Sequence, residues 1–228
     1  MRALLVGYGK MGKAIEAALL ARGHEIGERV DEGDRPGDLA VDLAFEFTTP
    51  AAAEALVVSL LSKRVPVVSG TTGWDVARAL DVSRQNGTPF LHSPNFSIGV
   101  AVMKRLAAQA AALLAPFSAF EPGILERHHS AKKDAPSGTA KLLASTVESA
   151  RGGASIPVVA LRQGGQPGEH VLYFEGESES LEIVHRARSR AIFASGAVAA
   201  AEWLLSSGRT GLVTFDDFLD SISKERTP

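Results

Sequence analysis

The chain has 228 residues, 45% of them hydrophobic and 22% charged, the balance of a globular protein long enough for one large domain or two small ones. A formal net charge of −2 with no run of Lys or Arg gives no long-range attraction for phosphate backbones or anionic lipid, so neither nucleic acid nor membrane is an expected partner. With no cysteine, disulfides, thiolate metal sites and thiol catalysis are excluded, and the lack of a signal-like leader or an apolar run of roughly 20 residues leads us to expect a cytoplasmic protein.

Ala3-Leu4-Leu5-Val6 is a continuous apolar run closed by Gly7, the pattern of a strand buried on both faces. Residues Met11 to Arg22 follow with Ile15, Leu19 and Leu20 at helical spacing and Gly23 as a stop, so strand, turn and helix come in order. Further apolar runs at Glu25 to Val30, Leu43 to Phe47, Val65 to Ser69 and Pro89 to Leu91 alternate with helical stretches at Ala51 to Ser62 and Val76 to Gln85. This alternation predicts a Rossmann-type parallel sheet in an α/β domain.

After Asn95 the pattern changes. A long helix is expected from about Ile98 to Leu114, a strand near Ile124 to Arg127 and a helix from Thr139 to about Ala150. Apolar segments at Ile156 to Leu161, His170 to Phe174 and Leu181 to Arg188 then succeed one another with no helix between, which predicts a mixed or antiparallel sheet. The Ala-rich helix Ala194 to Leu205 and the tail Leu212 to Ile222 are expected to return to the first domain. We therefore expect a dinucleotide domain of residues 1–97 and 196–228, and an α+β substrate and oligomerisation domain of residues 98–195.

Gly7-Tyr8-Gly9-Lys10-Met11-Gly12 is a G-x-G-x-x-G set between the first strand and its helix. Gly7 permits the tight turn, Gly9 the approach of a pyrophosphate, and Gly12 close helix packing, while the helix N-terminus supplies N–H donors. In a chain with 22 glycines a bare match is weak; its context makes it informative. Asp31 ends the second strand, where an acid accepts hydrogen bonds from the ribose hydroxyls of NADH or NADPH, although the neighbouring Glu32 and Asp34 also suit a solvated acidic loop. Asp31 with Glu32 repels a 2′-phosphate, which Lys10 and Arg35 can offset, so NADH should serve at least as well as NADPH. The loops Gly70-Thr71-Thr72 and Ser93-Pro94-Asn95-Phe96 fall at the ends of later strands and are candidate walls for the nicotinamide, with ordinary turns as the alternative.

The densest chemistry is Glu126-Arg127-His128-His129-Ser130-Ala131-Lys132-Lys133-Asp134-Ala135-Pro136-Ser137-Gly138-Thr139. Its cations, and a helix opened by Ser137 as N-cap with Gly138 and Thr139 behind it, suit a carboxylate. Lys132 adds a point charge and a histidine can exchange protons near neutrality. No metal site is expected, since adjacent histidines on a strand face opposite ways and no clear third ligand accompanies them. The alternative is a polar loop capping a helix.

Over essentially its whole length the chain resembles the 4-hydroxy-tetrahydrodipicolinate reductase (dihydrodipicolinate reductase) family. The similarity lies in the glycine turn, Ser69-Gly70-Thr71-Thr72-Gly73, Pro94-Asn95-Phe96-Ser97, the segment from Glu126 to Thr139, and Glu182-Ile183-Val184-His185-Arg186-Ala187 with Ser189-Arg190-Ala191-Ile192-Phe193-Ala194. The resemblance implies NAD(P)H-dependent reduction of a small dicarboxylate in lysine (diaminopimelate) biosynthesis, with His128 as acid/base and Lys132 as proton donor. It implies that His129, Gly138 and Thr139, with Ser137, hold the substrate, and that the protein is a homotetramer. Where the family has Asp before Phe, this chain has Glu46 in Glu46-Phe47-Thr48-Thr49-Pro50, and the stretch from Asp31 to Leu43 is short; both bear on the adenosine side. An aspartate-type dehydrogenase and a non-catalytic NAD-sensing module are the competing readings.

Overall fold

The computed structural model describes residues 1–31, 33–34, 37 and 40–224; Glu32 and Arg35, on which part of the cofactor expectation rests, lie outside the described residues. The chain separates into two compact units, one of Met1–Phe96 with the described residues from Ala191 onward, the other Ser97–Arg190.

The first unit begins with β1 (Arg2–Val6), α1 (Lys10–Ala21) and β2 (Glu25–Val30), followed by β3 (Leu43–Glu46), α2 (Pro50–Ser62), β4 (Val67–Ser69), α3 (Ala77–Asn86) and β5 (Pro89–His92). Ala3, Leu4, Leu5 and Val6 are all buried, as a central parallel strand requires. Leu4 and Val6 join a core with Val57, Leu60 and Leu61 of α2. The strand β1 pairs in parallel with β2 on one side and β3 on the other, so the chain reverses its direction of travel across the sheet at β1. That reversal opens a crevice at the carboxyl ends of β1 and β3, where open α/β sheets take their ligands.

The returning segment does more than fold back. After α6 (Ala191–Ser206), residues Gly211–Val213 form β10, which pairs in parallel with β5 and completes a six-stranded sheet of order β10-β5-β4-β3-β1-β2. Only then does α7 (Phe215–Lys224) begin. Three residues carry too little periodicity to be read as a strand. The helix α6 is anchored by Glu202, which accepts hydrogen bonds from Arg22 and lies 2.7 Å from His24 Nε2.

Glu46, the departure from the family pattern, is fully buried at the end of β3. Its Oε1 accepts from Thr48 N (3.0 Å), Thr48 Oγ1 (2.5 Å) and Thr71 Oγ1 (2.7 Å), and its Oε2 from Ser69 Oγ (2.6 Å). The carboxylate thus locks the loops after β3 and β4 to each other.

The second unit contains α4 (Ile98–Leu114), β6 (Glu121–His128), α5 (Gly138–Ala150), β7 (Val158–Arg162), β8 (Gly168–Glu175) and β9 (Ser180–Ala187). Its sheet has the order β7-β6-β8-β9, with β6 parallel to β7 and antiparallel to β8, and β8 antiparallel to β9. Side chains alternate across a strand. Ile124, Leu172 and Phe174 therefore meet Met103 and Ala107 of α4 and Leu143 and Val147 of α5 in one core. The opposite face leaves Val159, Leu161 and Val184 exposed at 60, 41 and 38%.

Candidate active site

The glycine turn has the geometry its sequence requires. Gly7 stands at φ +90°, and a Cβ there would collide with the Phe47 carbonyl, while a Cβ at Gly12 would collide with the carbonyl oxygen of Gly7. Gly9 is the N-cap of α1, with open space beside its Cα, so the first N–H groups of α1, which begins at Lys10 and Met11, are accessible to an anion. Tyr8 is turned back and donates to Glu16, which also accepts from Arg29. A cavity of about 450 Å³ lies beside the turn, lined by Gly7, Gly9, Asp31, Phe47, Thr48 and Thr49 among others. The two halves of the sequence fingerprint, the glycines and Asp31, therefore border one space.

The other candidate cofactor loops are more inward than expected. The Thr71 hydroxyl is committed to Glu46 and Thr48, and its carbonyl accepts from Trp74 Nε1 and lies 3.0 Å from His92 Nε2; Gly70 and the exposed Thr72 flank it. Ser93 Oγ donates to the Asn95 carbonyl at 2.8 Å, with Pro94 exposed between them. The Phe96 ring is core, 5.8 Å from the Phe47 ring and 5.4 Å from that of Phe215.

In the second unit the chemistry gathers at the end of β6. Glu126 and His128 are two apart on one strand and so share a face, and both are buried. Glu126 Oε2 lies 2.5 Å from His128 Nδ1, while Oε1 accepts from Arg162 Nη2 at 2.6 Å and from the backbone N–H of Ser137 at 3.0 Å. Ser137 is the N-cap of α5, its Oγ accepting from Ala140 N, and that Oγ is 3.2 Å from His170 Nε2. Sheet register aligns Glu126 with His170, and His170 with His185. The rings of His128 and His170 are 5.3 Å apart and those of His170 and His185 6.4 Å.

Around this buried row stand half-buried and exposed groups. Lys132 pairs with Asp134 at 2.7 Å, and Arg162 also donates to the Asp134 carbonyl at 2.6 Å. His129 and Thr139 are half-buried, and Gly138 is exposed with open space beside it. The structure thus brings His128, Lys132 and Ser137 to one end of the sheet, with Gly138 and Thr139 opening the helix there. Sequence reasoning gave no role to Glu126, Arg162, His170 or His185. A period-two reading of Glu-x-His was available for Glu126; the other three are remote in sequence and meet only through strand register.

Protonation follows from burial and charge. Burial opposes ionisation of Glu126 most strongly, yet hydrogen bonds from Arg162 and Ser137 and the charge of His128 together hold its carboxyl below the usual range. Burial pushes His128 below an ordinary histidine; Glu126 offsets part of this, while Lys132 and Arg162 add to it. Burial, reinforced by the charge of His128, pushes His170 down to about 4, and burial lowers His185 as well. Glu126, His128 and His170 offer ligand atoms within 4.8 Å of one another, a third ligand that the sequence did not disclose. Arg162, however, already occupies the carboxylate, and with Lys132 it makes the locality suited to an anion rather than a dication.

Models of the dihydrodipicolinate reductase N-terminus and C-terminus match residues 37–96 and 99–219 respectively. The 4-hydroxy-tetrahydrodipicolinate reductase of Christiangramia forsetii is 35% identical over 240 residues, covering 98% of this chain and all of that protein. That of Stenotrophomonas maltophilia is 36% identical over 216 residues, 86% of this chain and 88% of the relative. Among solved structures, a dipicolinate-bound dihydrodipicolinate reductase from Paenisporosarcina sp. TG-14 superposes with a TM-score of 0.78 at 22% identity, over 94% of this chain and 97% of the other. Myo-inositol 2-dehydrogenase from Lactobacillus plantarum shares the fold at a TM-score of 0.61 and 11% identity, over 98% and 95% of the two chains.

The buried histidine predicts an acid sensitivity. Between pH 6.5 and about 4 the unfolded chain protonates His170 while the folded chain does not, so falling pH favours unfolding across that window and this contribution levels off below it. The full effect is about 3 kcal/mol by the usual conversion of a pKa difference. Urea midpoints of the wild type should fall as pH drops from 7 to 4.5, and His170→Phe, which keeps an aromatic ring but cannot titrate, should flatten that slope. An equal slope in both proteins would contradict the assignment.

Proposed function

The chain belongs to the dihydrodipicolinate reductase family, and from that premise we propose that it reduces 4-hydroxy-tetrahydrodipicolinate with NADH or NADPH and a proton to give tetrahydrodipicolinate, oxidised nucleotide and water. The observation that supports this most strongly is one end of one sheet holding a buried histidine, a lysine and an open helix N-terminus, the set that a reducible dicarboxylate needs.

The nucleotide, when bound, supplies a hydride. The residues of the first unit fit it: a pyrophosphate belongs at the bare N-terminus of α1 beside Gly9, and a ribose beside Asp31, which lines the adjoining cavity. Lys10, Met11, Gly70, Thr71, Thr72 and the Ser93 to Phe96 loop are proposed walls, Thr71 and Phe96 through backbone and shape, since their side chains are engaged elsewhere. In the second unit, Ser137, Gly138 and Thr139 receive one carboxylate at the N-terminus of α5 with His129 beside it, and Lys132 offers a point charge and a proton. His128 exchanges the proton that accompanies dehydration and hydride addition. A dianionic substrate favours an imidazolium, so binding counteracts the burial that keeps His128 neutral in the free protein.

The exposed side of the second sheet, with Val159, Leu161 and Val184, has the apolar character of a surface that a second copy covers. We place the interface of a homotetramer there.

Nucleotide oxidation with enzymatically generated 4-hydroxy-tetrahydrodipicolinate tests the reaction. It should exceed the rate with aspartate or oxaloacetate by orders of magnitude, with NADH used at least as well as NADPH because Asp31 disfavours a 2′-phosphate. Turnover of aspartate alone would favour the aspartate-type reading, no turnover a sensing role, and strong NADPH preference would overturn the part given to Asp31. Light scattering at micromolar concentration should return four times the chain mass. Val159→Lys with Leu161→Lys should lower it, and a monomeric wild type would refute the tetramer.

A further inference from the structure

We infer that Glu126 is a positioning residue that fixes the tautomer of His128 and, through the same carboxylate, holds that ring in register with the substrate-binding end of α5; the inference rests on the role proposed for His128. Its two oxygens have separate tasks. Oε1 takes two donors, Arg162 Nη2 and the Ser137 N–H. Oε2 stands 2.5 Å from His128 Nδ1 as a close ion-pair contact, and among the described residues neither atom has an aligned hydrogen-bond partner, so each is the nearest available partner of the other. An ionised carboxylate only accepts, so the imidazole must present N–H at Nδ1 and leave Nε2 without a hydrogen when neutral.

The opposite ring nitrogen has room to work. A Cβ at Gly168, the first residue of β8, would stand 3.0 Å from His128 Nε2, so the absence of a side chain there keeps that side of the ring clear. Glu126 in turn is oriented from two directions, by Arg162 on β7 and by the first N–H ahead of α5. A displacement of α5 would pull on the same carboxylate that orients the ring. An ion pair needed only for stability would use Arg162 and Glu126 and would have no reason to direct the second oxygen at Nδ1.

Glu126→Gln separates these roles. Arg162 and Ser137 both require an acceptor, so the amide oxygen takes the place of Oε1 and the amide N–H₂ turns toward Nδ1. Nδ1 must then accept, and the hydrogen moves to Nε2. Turnover should fall by about 100-fold or more, the scale of losing a correctly presented acid/base group. KM for the dicarboxylate should stay within about threefold because the Ser137 N–H keeps its acceptor, a change of less than 1 kcal/mol by the tenfold-per-1.4 kcal/mol rule. Losing an anion beside His128 also lowers its proton affinity, since the groups facing it from the neighbouring elements are Arg162, Lys132 and the neutral His170, with Asp134 engaged by Lys132. The limb of the kcat/KM profile belonging to His128 should therefore move to lower pH. Ser137→Ala should do the opposite, raising KM and leaving that limb in place.

The test is nitrogen-15 NMR of histidine-labelled protein above the titration of His128, its signal assigned by loss in His128→Gln, together with pH–rate profiles. The wild type should show N–H at Nδ1 and a bare Nε2, and folded Glu126→Gln the reverse with the shifted limb. A wild type with its hydrogen at Nε2 overturns the inference, whether or not Glu126→Gln folds; so does a folded Glu126→Gln with native turnover and an unmoved limb. An active wild type with the wrong tautomer would sink this inference alone, whereas the expected tautomer in a protein without reductase activity would sink the functional reading and leave the hold of Glu126 on the ring standing.

Discussion

A buried carboxylate that must stay ionised is the constraint on which the second unit depends. Glu126 has no exposed surface, and an unpartnered charge in such a position is strongly unfavourable. The structure meets it with hydrogen bonds to Oε1 from one guanidinium and one backbone N–H, and with the close approach of one imidazole to Oε2, drawn from β7, the start of α5 and β6 itself. Apart from His128, two residues along the same strand, none of these partners is close to it in the chain. The charge is tolerable only when the strand pairing and the helix entry are both correct, so the group that organises the site also makes the site an all-or-none product of folding. Removing one partner should therefore disturb function and stability together, which is why tests that split KM, pH profile and tautomer are more informative than loss of activity alone.

The first unit buries a carboxyl group among neutral partners instead. Glu46 is equally buried but is surrounded by hydroxyls from Thr48, Ser69 and Thr71 and the N–H of Thr48. Among the described residues its hydrogen-bond partners are all uncharged. What the sequence marked as a departure from the family pattern is thus a brace joining the loops after β3 and β4, the extra methylene of Glu over Asp being accommodated by reach into the second loop. The two carboxyl groups differ in their surroundings: one joins two loops of the first unit, the other stands between a guanidinium and an imidazole.

How much was legible in the sequence depended on whether the information was local. The strand, glycine turn and helix from Arg2 to Ala21 could be read directly, because an apolar run, three glycines at fixed spacing and helical periodicity all reside within twenty or so residues, and Asp31 follows at the spacing at which the dinucleotide fingerprint carries an acid. The capping role of Ser137 was equally local. In contrast, β10 was hidden by its brevity; its three residues acquire meaning only from the edge of β5. The side chains of Thr71 and Phe96 were read as cofactor walls and are turned into the protein, since small-polar composition marks a strand end without saying which atoms face outward. The row formed by Glu126, His170 and His185 depends on the register of β6, β8 and β9, and register between distant strands is not written in any single segment.

The proposed function divides labour between the units: nucleotide affinity in the first, proton chemistry and carboxylate binding in the second. Calorimetric NADH binding measured beside steady-state turnover on folded His128→Gln and Lys132→Ala tests that division most directly. Each substitution should reduce turnover on the order of 100-fold to 10,000-fold with the NADH Kd unchanged within about twofold, because neither side chain belongs to the unit that carries the glycine turn and Asp31. Near-native turnover in both variants would contradict the account, even with every element of the fold in place.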